Sequence, residues 1–150
     1  MSSTSEDLFD YIAKCIKDFL DVKEVHNEDI PIGFTFSFPC RQKSLNQAEL
    51  ITWTKGFTCS GGVDEDIGEL LSKSLSKYEE LKNCKLTAVC NDTVGTLMSC
   101  AFEEPDCKIG LICGTGSNAC YTEKSKNIMM LSDEVRNSTE QMCINMEWGK

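Results

Sequence analysis

The first hydrophobic pattern in the chain has the period of an α-helix. Seven apolar residues between Leu8 and Leu20 recur three or four positions apart or as neighbours, with mostly polar residues between them. Ser3 and Glu6 precede this pattern with the spacing of a capping box, in which each side chain binds a backbone N–H at the start of a helix. The pattern therefore predicts an amphipathic helix over residues 3–20.

Two further helices are predicted from the same combination of a cap and an apolar period. Ser44 and Gln47 form a second capping box, which predicts a helix that runs toward Trp53 and ends near Lys55-Gly56. Asp64 is predicted to cap a third helix. The inward-facing residues of this third helix are Ile67, Leu70, Leu71, Leu75 and Tyr78.

Strands are predicted where apolar residues alternate with others or form a short run. Three phenylalanines alternate with small or polar residues in Ile32–Phe38, which predicts a strand there. Pro39 has no N–H to donate to a neighbouring strand, so the strand is predicted to end at this proline. The short apolar run Leu86–Cys90 predicts the next strand.

The last third of the chain is predicted to contain one helix followed by strands. Two of these strands flank a glycine turn, which indicates an antiparallel pair. Helices alternating with strands along the chain predict an α/β protein. The predicted elements are a helix over Thr93–Phe102 and strands over Cys107–Cys113, Asn118–Thr122, Ile128–Leu131 and Met142–Met146.

Composition and charge exclude several classes of function. The chain has 150 residues, of which 41% are hydrophobic and 26% charged, as is typical of a globular domain. The formal net charge of −9 and the lack of a Lys/Arg cluster argue against nucleic acid as the main partner. No apolar run approaches the ~20 residues of a membrane span. The first residues lack the basic and apolar regions of a signal peptide.

Ten cysteines raise a choice between disulfides and free thiols. Disulfide scaffolds are usually shorter, secreted and rich in loops. We therefore expect reduced thiols and a cytoplasmic protein. With His26 as the only histidine and no CxxC pair, no zinc or other metal site is predicted. Five cysteines lie in apolar periodic segments and are predicted to be small core residues, namely Cys15, Cys90, Cys100, Cys113 and Cys120.

Two short segments carry groups that phosphoryl transfer requires. Asn91-Asp92 follows a predicted strand, and Gly114-Thr115-Gly116 forms a turn with Asn118 just behind it. A carboxylate can accept a proton from the attacking hydroxyl, and a glycine turn exposes N–H groups to phosphate oxygens. Each segment also has an ordinary structural interpretation, because Asp92 is a suitable helix cap and glycine supplies positive φ in hairpin turns.

Two other segments are weaker signals when each is taken alone. Trp53-Thr54-Lys55-Gly56 places a hydroxyl and an ammonium at a predicted helix end, where the helix dipole favours a lysine in any case. Glu147 follows the last predicted strand and by itself is typical of a surface acid. The order of all these segments along the chain is more informative than any one of them.

In that order the segments resemble the hexokinase family, which includes the glucokinases. The chain is most similar to the C-terminal half of animal hexokinases that have duplicated halves. Ser132–Gln141 departs from the family pattern, since relatives carry a glycine-containing acidic turn there. The matching stretches span nearly the whole chain and are Leu8–Ala13, Gly33–Cys40, Thr52–Phe57, Val89–Thr96, Gly110–Tyr121 and Met142–Gly149.

The resemblance implies a role for each candidate residue. Asp92 matches the catalytic base that accepts the proton of the sugar 6-hydroxyl, and Lys55 matches a cation near the transferring phosphoryl group. Gly114, Thr115 and Gly116 fall in a phosphate-binding turn and are the cofactor-binding candidates. The hexose-binding candidates are Ser37, Thr54, Lys55, Asn91, Asp92, Asn118 and Glu147.

The resemblance also implies an α/β fold, a fragment of the actin-like ATPase (ribonuclease-H-like) architecture of hexokinases with two lobes. Residues 1–90 would form part of the small lobe, and residues 91–150 would begin the large lobe. The implied reaction is phosphorylation of glucose or another hexose at the 6-hydroxyl by ATP with Mg²⁺, the first step of glycolysis. The implied location is the cytosol, or the outer mitochondrial surface through segments outside this chain.

The family's first phosphate loop and its adenosine-binding segment have no counterpart among these residues. We therefore expect the chain to be an incomplete fragment that does not turn over by itself. The alternative function is that of a non-catalytic hexose-binding or regulatory half, which tandem hexokinases can carry. Retention of Lys55 and Asp92 favours an enzyme.

Overall fold

The computed structural model describes residues 3–25, 28–114 and 116–148. The chain divides into two compact units, Met1–Cys90 and Asn91–Lys150. The first unit contains helices α1 (Ser5–Val22) and α2 (Ile67–Leu75) and strands β1 (Ile30–Thr35), β2 (Cys40–Ser44), β3 (Gln47–Leu50) and β4 (Cys84–Cys90). The second unit contains helices α3 (Asp92–Glu103) and α4 (Asp133–Ser138) and strands β5 (Ile109–Cys113), β6 (Ser117–Lys124) and β7 (Gln141–Asn145). Within the described ranges, no helix combines the length and apolarity needed to cross a bilayer.

Helix α1 forms as predicted, but its N-terminal cap is shifted by one residue. The capping box consists of Thr4 and Asp7, whose backbone N–H groups each donate to the other's side chain at 2.9 and 3.0 Å. The predicted box of Ser3 and Glu6 is wrong. The reason is tertiary pairing, since the backbone of Ser60 donates to the Ser3 carbonyl at 3.2 Å and holds Ser3 outside the helix.

The core of the first unit forms between its two helices and the parallel pair β1–β4. Phe9 of α1 and Leu71 of α2 are fully buried, and β1 pairs with β4 from Ile30 opposite Cys84 to Thr35 opposite Cys90. The strand prediction at Leu86–Cys90 is confirmed. Strand β1 ends at Thr35, before the predicted end. The phenylalanine at position 36 still points inward, because its backbone N–H donates to the Cys90 carbonyl at 2.8 Å.

The predicted helix starting at Ser44 is wrong, because this segment is a β-hairpin. Strands β2 and β3 pair antiparallel, with Cys40 opposite Leu50. The Ser44 hydroxyl donates to Gln47 Oε1 at 3.1 Å, so the two side chains bond to each other and not to backbone N–H groups. Ala48 and Leu50 are buried while Gln47 is exposed, which is the alternation of a strand.

Helix α2 begins after a long loop, and Asp66 caps it in place of the predicted Asp64. Asp66 Oδ1 accepts hydrogen bonds from the backbone of Gly68 at 2.8 Å and of Glu69 at 3.4 Å. Asp64 lies in the loop with a φ of 63°, a left-handed conformation outside the helix. The cap therefore belongs to the acid nearest the first apolar residue of the helix.

The second unit is a three-stranded antiparallel sheet with α3 packed on it. The sheet order is β5-β6-β7, and the predicted helix and the three strands that form this sheet are confirmed. Leu97 of α3 is buried, and the Cys120 thiol of β6 donates to the Thr93 carbonyl of α3 at 3.2 Å. These contacts fix the start of α3 against the sheet.

The strand predicted at Ile128–Leu131 is absent from the structure. A 3-10 helix occupies Ser125–Asn127, and the chain then turns into α4. The Arg136 guanidinium of α4 donates to the carbonyl of Leu131 at 2.8 Å and to that of Met129 at 3.3 Å. Because the guanidinium takes up these carbonyls, this segment folds back onto α4 and not onto the sheet.

The cysteines are less buried than their sequence context predicts. Cys120 is a core residue as expected, and Cys90 is half-buried. Cys15, Cys100 and Cys113 are exposed, so their prediction as core residues is wrong. Apolar neighbours in sequence do not fix which face of an element a residue occupies. The free thiols include Cys15, Cys59, Cys84, Cys100, Cys107, Cys113 and Cys120.

Asp10 joins α1 to the end of α2. Both of its carboxylate oxygens lie 2.7 Å from Lys77 Nζ, and the Ser74 hydroxyl donates to it at 2.7 Å. These bonds, the one from Lys77 foremost, hold the pKa of Asp10 below its ordinary value. The contribution of Asp10 to stability is therefore complete at neutral pH and is lost as the pH falls through its folded-state pKa.

We predict that Asp10→Asn lowers the free energy of unfolding at neutral pH, because an amide cannot form the ion pair with Lys77. The difference from wild type should narrow as the pH is lowered through the folded-state pKa of Asp10, below which the wild-type carboxyl is also protonated. Urea unfolding at neutral and at acidic pH measures this. Asp18→Asn is the comparison variant: its ion pair with Lys14 lies within one helix and is exposed, so we expect a smaller loss of stability at neutral pH than in Asp10→Asn. A difference between wild type and Asp10→Asn that is the same at both pH values would contradict the prediction.

Candidate functional site

In the first unit, Thr54 and Lys55 lie in a tight turn and not at a helix end. The Phe57 N–H donates to the Thr54 carbonyl at 3.1 Å. Lys55 and Gly56 have φ values of 58° and 79°, the positive pair of a type I′ turn. A lysine in the left-handed region costs roughly 1–2 kcal/mol, so the surrounding contacts must hold it there.

The contacts that hold this turn are aromatic and polar. Lys55 Nζ donates to the Ser37 carbonyl at 2.9 Å and lies 5.9 Å from the centre of the Phe38 ring. The Trp53 and Phe57 rings stack with centroids 6.2 Å apart, and Trp53 Nε1 donates to the Gly61 carbonyl at 2.9 Å. The structure thus brings Ser37, Thr54 and Lys55 to one surface of the first unit.

In the second unit, Asn91 and Asp92 lie at the beginning of α3. Asn91 is the N-cap, and the Thr93 N–H donates to its Oδ1 at 2.8 Å and to Asp92 Oδ1 at 3.0 Å. The interpretation of Asp92 as the helix cap is therefore wrong. Asp92 is a half-buried residue of the first turn, and its Oδ2 has no hydrogen bond to the described part of the chain.

Four polar side chains of the second unit form one hydrogen-bonded group, which we call the amide–carboxylate cluster. Its members are Asn91, Asn118, Asn145 and Glu147. Glu147 Oε1 accepts from the three amide nitrogens, at 3.1 Å from Asn91, 3.2 Å from Asn118 and 2.8 Å from Asn145. The Asn118 amide also donates to Asn145 Oδ1 at 2.8 Å and to Asn91 Oδ1 at 3.3 Å.

The sheet topology explains why these residues meet. Strand β6 begins where its antiparallel neighbour β7 ends, so Asn118 near the start of β6 lies beside Asn145 at the end of β7. The Met146 N–H donates to the Ala119 carbonyl at 2.9 Å and extends this pairing by one residue. Glu147 then adopts a φ of 48°, and its side chain enters the cluster.

The cluster is chemically suited to a ligand rich in hydroxyl groups. All three amide bonds end on Glu147 Oε1, so Oε2 has no hydrogen bond to any residue that the structure describes. A free carboxylate oxygen accepts a strong, charge-assisted hydrogen bond from a hydroxyl. Glu147 is exposed, so a ligand can reach this oxygen from solvent.

Asn145 was not among the candidates from the sequence. Its signal in the sequence is small, since it is a single polar residue after the apolar run Met142-Cys143-Ile144. Strand side chains alternate between faces, so residues 145 and 147 would share a face if the strand continued. This shared face would make Asn145 a candidate site residue only after Glu147 had been assigned a role.

The predicted phosphate turn joins β5 to β6. The Gly114 N–H donates to the Gly116 carbonyl at 2.8 Å, so this N–H is already used within the turn. Gly114 has no φ in the left-handed region, so the ordinary alternative of a hairpin turn with positive φ is not supported at this glycine. A side chain at Gly116 would meet nothing within 4 Å, which leaves its backbone accessible. Thr115 lies outside the described residues. In the described parts of the chain, no three His, Cys, Asp or Glu side chains are arranged to hold a metal ion.

Comparison with known protein families covers both units. A family profile described as hexokinase matches residues 1–102, and a second profile with the same description matches residues 108–150. The chain belongs to the hexokinase family. The gap between the two matches falls just after α3, whereas the two compact units divide just before it.

Individual hexokinases match nearly the whole length of the chain. Hexokinase-1 from Homo sapiens is 53% identical over 149 residues, which are 99% of this chain and 16% of that protein. Hexokinase-2 from Rattus norvegicus is 49% identical over the same length and share. The solved structure of a hexokinase from Schistosoma mansoni complexed with glucose has a TM-score of 0.86 and 45% identity, and the match covers 99% of this chain and 32% of that one. The predicted family and α/β fold class are confirmed.

Gly110 sets the distance between α3 and the sheet. A Cβ at this position would lie 2.8 Å from the Thr93 carbonyl oxygen and 2.9 Å from both Leu97 Cβ and Cys120 Sγ. Two of these atoms belong to α3, the helix that carries Asp92. The absence of a side chain at Gly110 is therefore needed for this helix to pack on the sheet.

We predict that Gly110→Ala destabilises the second unit by about 1–3 kcal/mol, as overpacking does elsewhere. Gly116→Ala is the control, because it meets open space, and it should change stability by less than ~0.5 kcal/mol. Hydrogen exchange of the α3 and β5 amides measures the effect in this unit. Equal protection of these amides in the two variants would show that the close packing at Gly110 is not needed.

Proposed function

We propose that this chain supplies the hexose-recognition and catalytic residues of an ATP-dependent hexose 6-kinase. The amide–carboxylate cluster is the main support for this proposal. A hexose offers only hydroxyl groups, and a site that recognises it needs acceptors and donors fixed in place. Glu147 with its free Oε2, surrounded by three amides, supplies such a set.

In the second unit we assign Asp92 as the general base. Its Oδ1 accepts the Thr93 N–H, and its Oδ2 is available to accept the proton of the sugar 6-hydroxyl. Asp92 lies in the first turn of α3, where the helix dipole favours a negative charge. Asn91, Asn118 and Glu147 bind sugar hydroxyls, and Asp92 also contacts the hexose through the 6-hydroxyl.

In the first unit we assign Ser37, Thr54 and Lys55 to the hexose. Lys55 is the cation that offsets charge on the transferring phosphoryl group. Its Nζ is held by the Ser37 carbonyl at 2.9 Å, and its left-handed backbone is fixed by the turn. A preorganised cation needs little rearrangement when the reaction begins.

The phosphoryl donor in this proposal is ATP, which carries Mg²⁺ on its phosphates as part of the substrate. The turn at Gly114–Gly116, including Thr115, is the phosphate-binding segment. Only part of this turn suits phosphate, since the space around Gly116 is open while the Gly114 N–H is already bonded. The metal balances negative charge when bound with ATP.

The reaction is one transfer without a covalent enzyme intermediate. The 6-hydroxyl oxygen of the hexose forms a bond to the γ-phosphorus as the bond from that phosphorus to ADP breaks. The hydroxyl proton passes to Asp92 Oδ2. Alignment of the two substrates supplies most of the acceleration, because phosphoryl transfer requires little covalent help from the protein.

The proposal concerns the complete enzyme, because this chain spans only 16% of the length of human Hexokinase-1. Within that enzyme we assign residues 1–90 to the small lobe and residues 91–150 to the beginning of the large lobe. We place the activity in glycolysis, in the cytosol or at the outer mitochondrial surface.

We predict that Asp92→Ala lowers kcat about 10²–10⁴-fold, the usual contribution of a general base. The measurement is glucose-dependent ADP formation by the longest natural polypeptide that carries this sequence. Asp106→Ala is the control, because Asp106 is an exposed acid of the turn between α3 and β5 and should leave kcat unchanged. Undiminished turnover by Asp92→Ala would remove Asp92 as the base.

We predict that the 150-residue chain alone shows no glucose-dependent ATP consumption above that of its own Asp92→Ala variant. The reason is that the cluster recognises a sugar, whereas binding of a nucleotide needs more hydrogen-bond donors to its phosphates than the Gly114–Gly116 turn offers. A coupled ADP assay compares the two chains at equal concentration. Turnover that depends on both glucose and Asp92 would contradict this prediction.

The second candidate function is a non-catalytic hexose-binding half. The observation that favours it is that the hydroxyl-binding cluster is fully formed in the second unit while the Gly114 N–H is unavailable to phosphate. Stabilisation of the longest natural polypeptide against thermal unfolding by glucose, without any ADP formation, would support this candidate over the kinase.

A further inference from the structure

Asn145 makes the two shortest hydrogen bonds of the amide–carboxylate cluster. Its Nδ2 donates to Glu147 Oε1 at 2.8 Å, and its Oδ1 accepts from Asn118 Nδ2 at 2.8 Å. One side chain therefore links two of the proposed hexose ligands and uses both ends of its amide to do so.

Glu147 needs such a contact because its backbone leaves the strand. Strand β7 ends at Asn145, and the last pairing contact is the Met146 N–H to the Ala119 carbonyl at 2.9 Å. Glu147 then has a φ of 48°, a region in which non-glycine residues are held only by their surroundings. Its side chain is exposed, so core packing does not fix the direction of the carboxylate.

We infer that Asn145 is a positioning residue, which fixes the Glu147 carboxylate so that Oε2 is presented to a sugar hydroxyl. This inference rests on the proposed hexose-binding function. Asn145 acts through Glu147 and Asn118: its N–H holds the carboxylate by Oε1, and its carbonyl oxygen orients the Asn118 amide. A charge-assisted bond of this kind is among the stronger hydrogen bonds in proteins.

A structural role for Asn145 predicts a different result from a positioning role. If Asn145 only fills space, aspartate should replace it well, because the two side chains have the same shape. If Asn145 positions Glu147 by donating a hydrogen bond, aspartate should be worse than alanine. An aspartate cannot donate, and it would place a second carboxylate beside Glu147, where like charges repel.

The test compares glucose KM for Asn145→Ala and Asn145→Asp in the longest natural polypeptide that carries this sequence. We expect glucose KM to rise about tenfold in Asn145→Ala, the loss of one hydrogen bond to a charged group. It should rise further in Asn145→Asp, while KM for ATP stays unchanged in both. In a Glu147→Ala background, Asn145→Ala should raise glucose KM by a smaller factor than in wild type, because only the contact of Asn145 with Asn118 is then left to lose.

The matched control is Asn127→Asp. The Asn127 amide donates to Glu123 Oε1 at 2.8 Å, so the same substitution breaks the same kind of bond in the same unit outside the cluster. We expect this variant to leave glucose KM unchanged. A rise equal to that of Asn145→Asp would mean that loss of any such bond has this effect, and the positioning role would be rejected.

The variants also separate this inference from the proposed function. If Glu147→Ala leaves glucose KM unchanged, the hexose site itself is wrongly assigned. If Glu147→Ala raises glucose KM but Asn145→Asp has the KM of wild type, the hexose site stands and the positioning role of Asn145 is overturned. Independent, additive effects of Asn145→Ala and Glu147→Ala would also overturn it.

Discussion

The second unit depends on the close approach of one helix to its sheet. At Gly110 the absence of a side chain lets α3 lie against β5 and β6, with Thr93 and Leu97 buried in the contact. That packing fixes the start of α3, where Asn91 is both the cap of the helix and a member of the amide–carboxylate cluster. A contact between apolar or small groups therefore determines where polar groups stand, as is usual in close-packed interiors.

The segments that the sequence predicted well are those in which local pattern and tertiary environment agree. Helix α1, strand β4, helix α3 and the strands of the second sheet all follow their apolar periodicity. The segment at Ser44 shows the opposite case. Ser44 and Gln47 have the spacing of a capping box, but the same two side chains can bond to each other across a hairpin turn. Burial of Ala48 and Leu50 on one face favours the hairpin over the helix.

The candidate residues were identified by resemblance, and the sequence could not give their geometry. The sequence Thr54-Lys55-Gly56 is compatible with a helix end and with a turn. The aromatic packing around Trp53 determines that the turn forms. Asn145 was missed for a related reason. Its importance arises from the pairing of β6 with β7, which brings residues 27 positions apart into contact. No local pattern contains that information.

The cluster also makes the two oxygens of Glu147 unequal. Oε1 accepts hydrogen bonds from three amide N–H donors, while Oε2 has none from the residues that the structure describes and is the oxygen left for a ligand. A glutamine at this position would have nearly the same shape, but its two ends differ. The three inward donors would select its carbonyl oxygen, and its NH₂ group would then point outward. The group offered to a ligand would change from a hydrogen-bond acceptor to a donor. A ligand hydroxyl that donates to glutamate would then have to accept a hydrogen bond from glutamine.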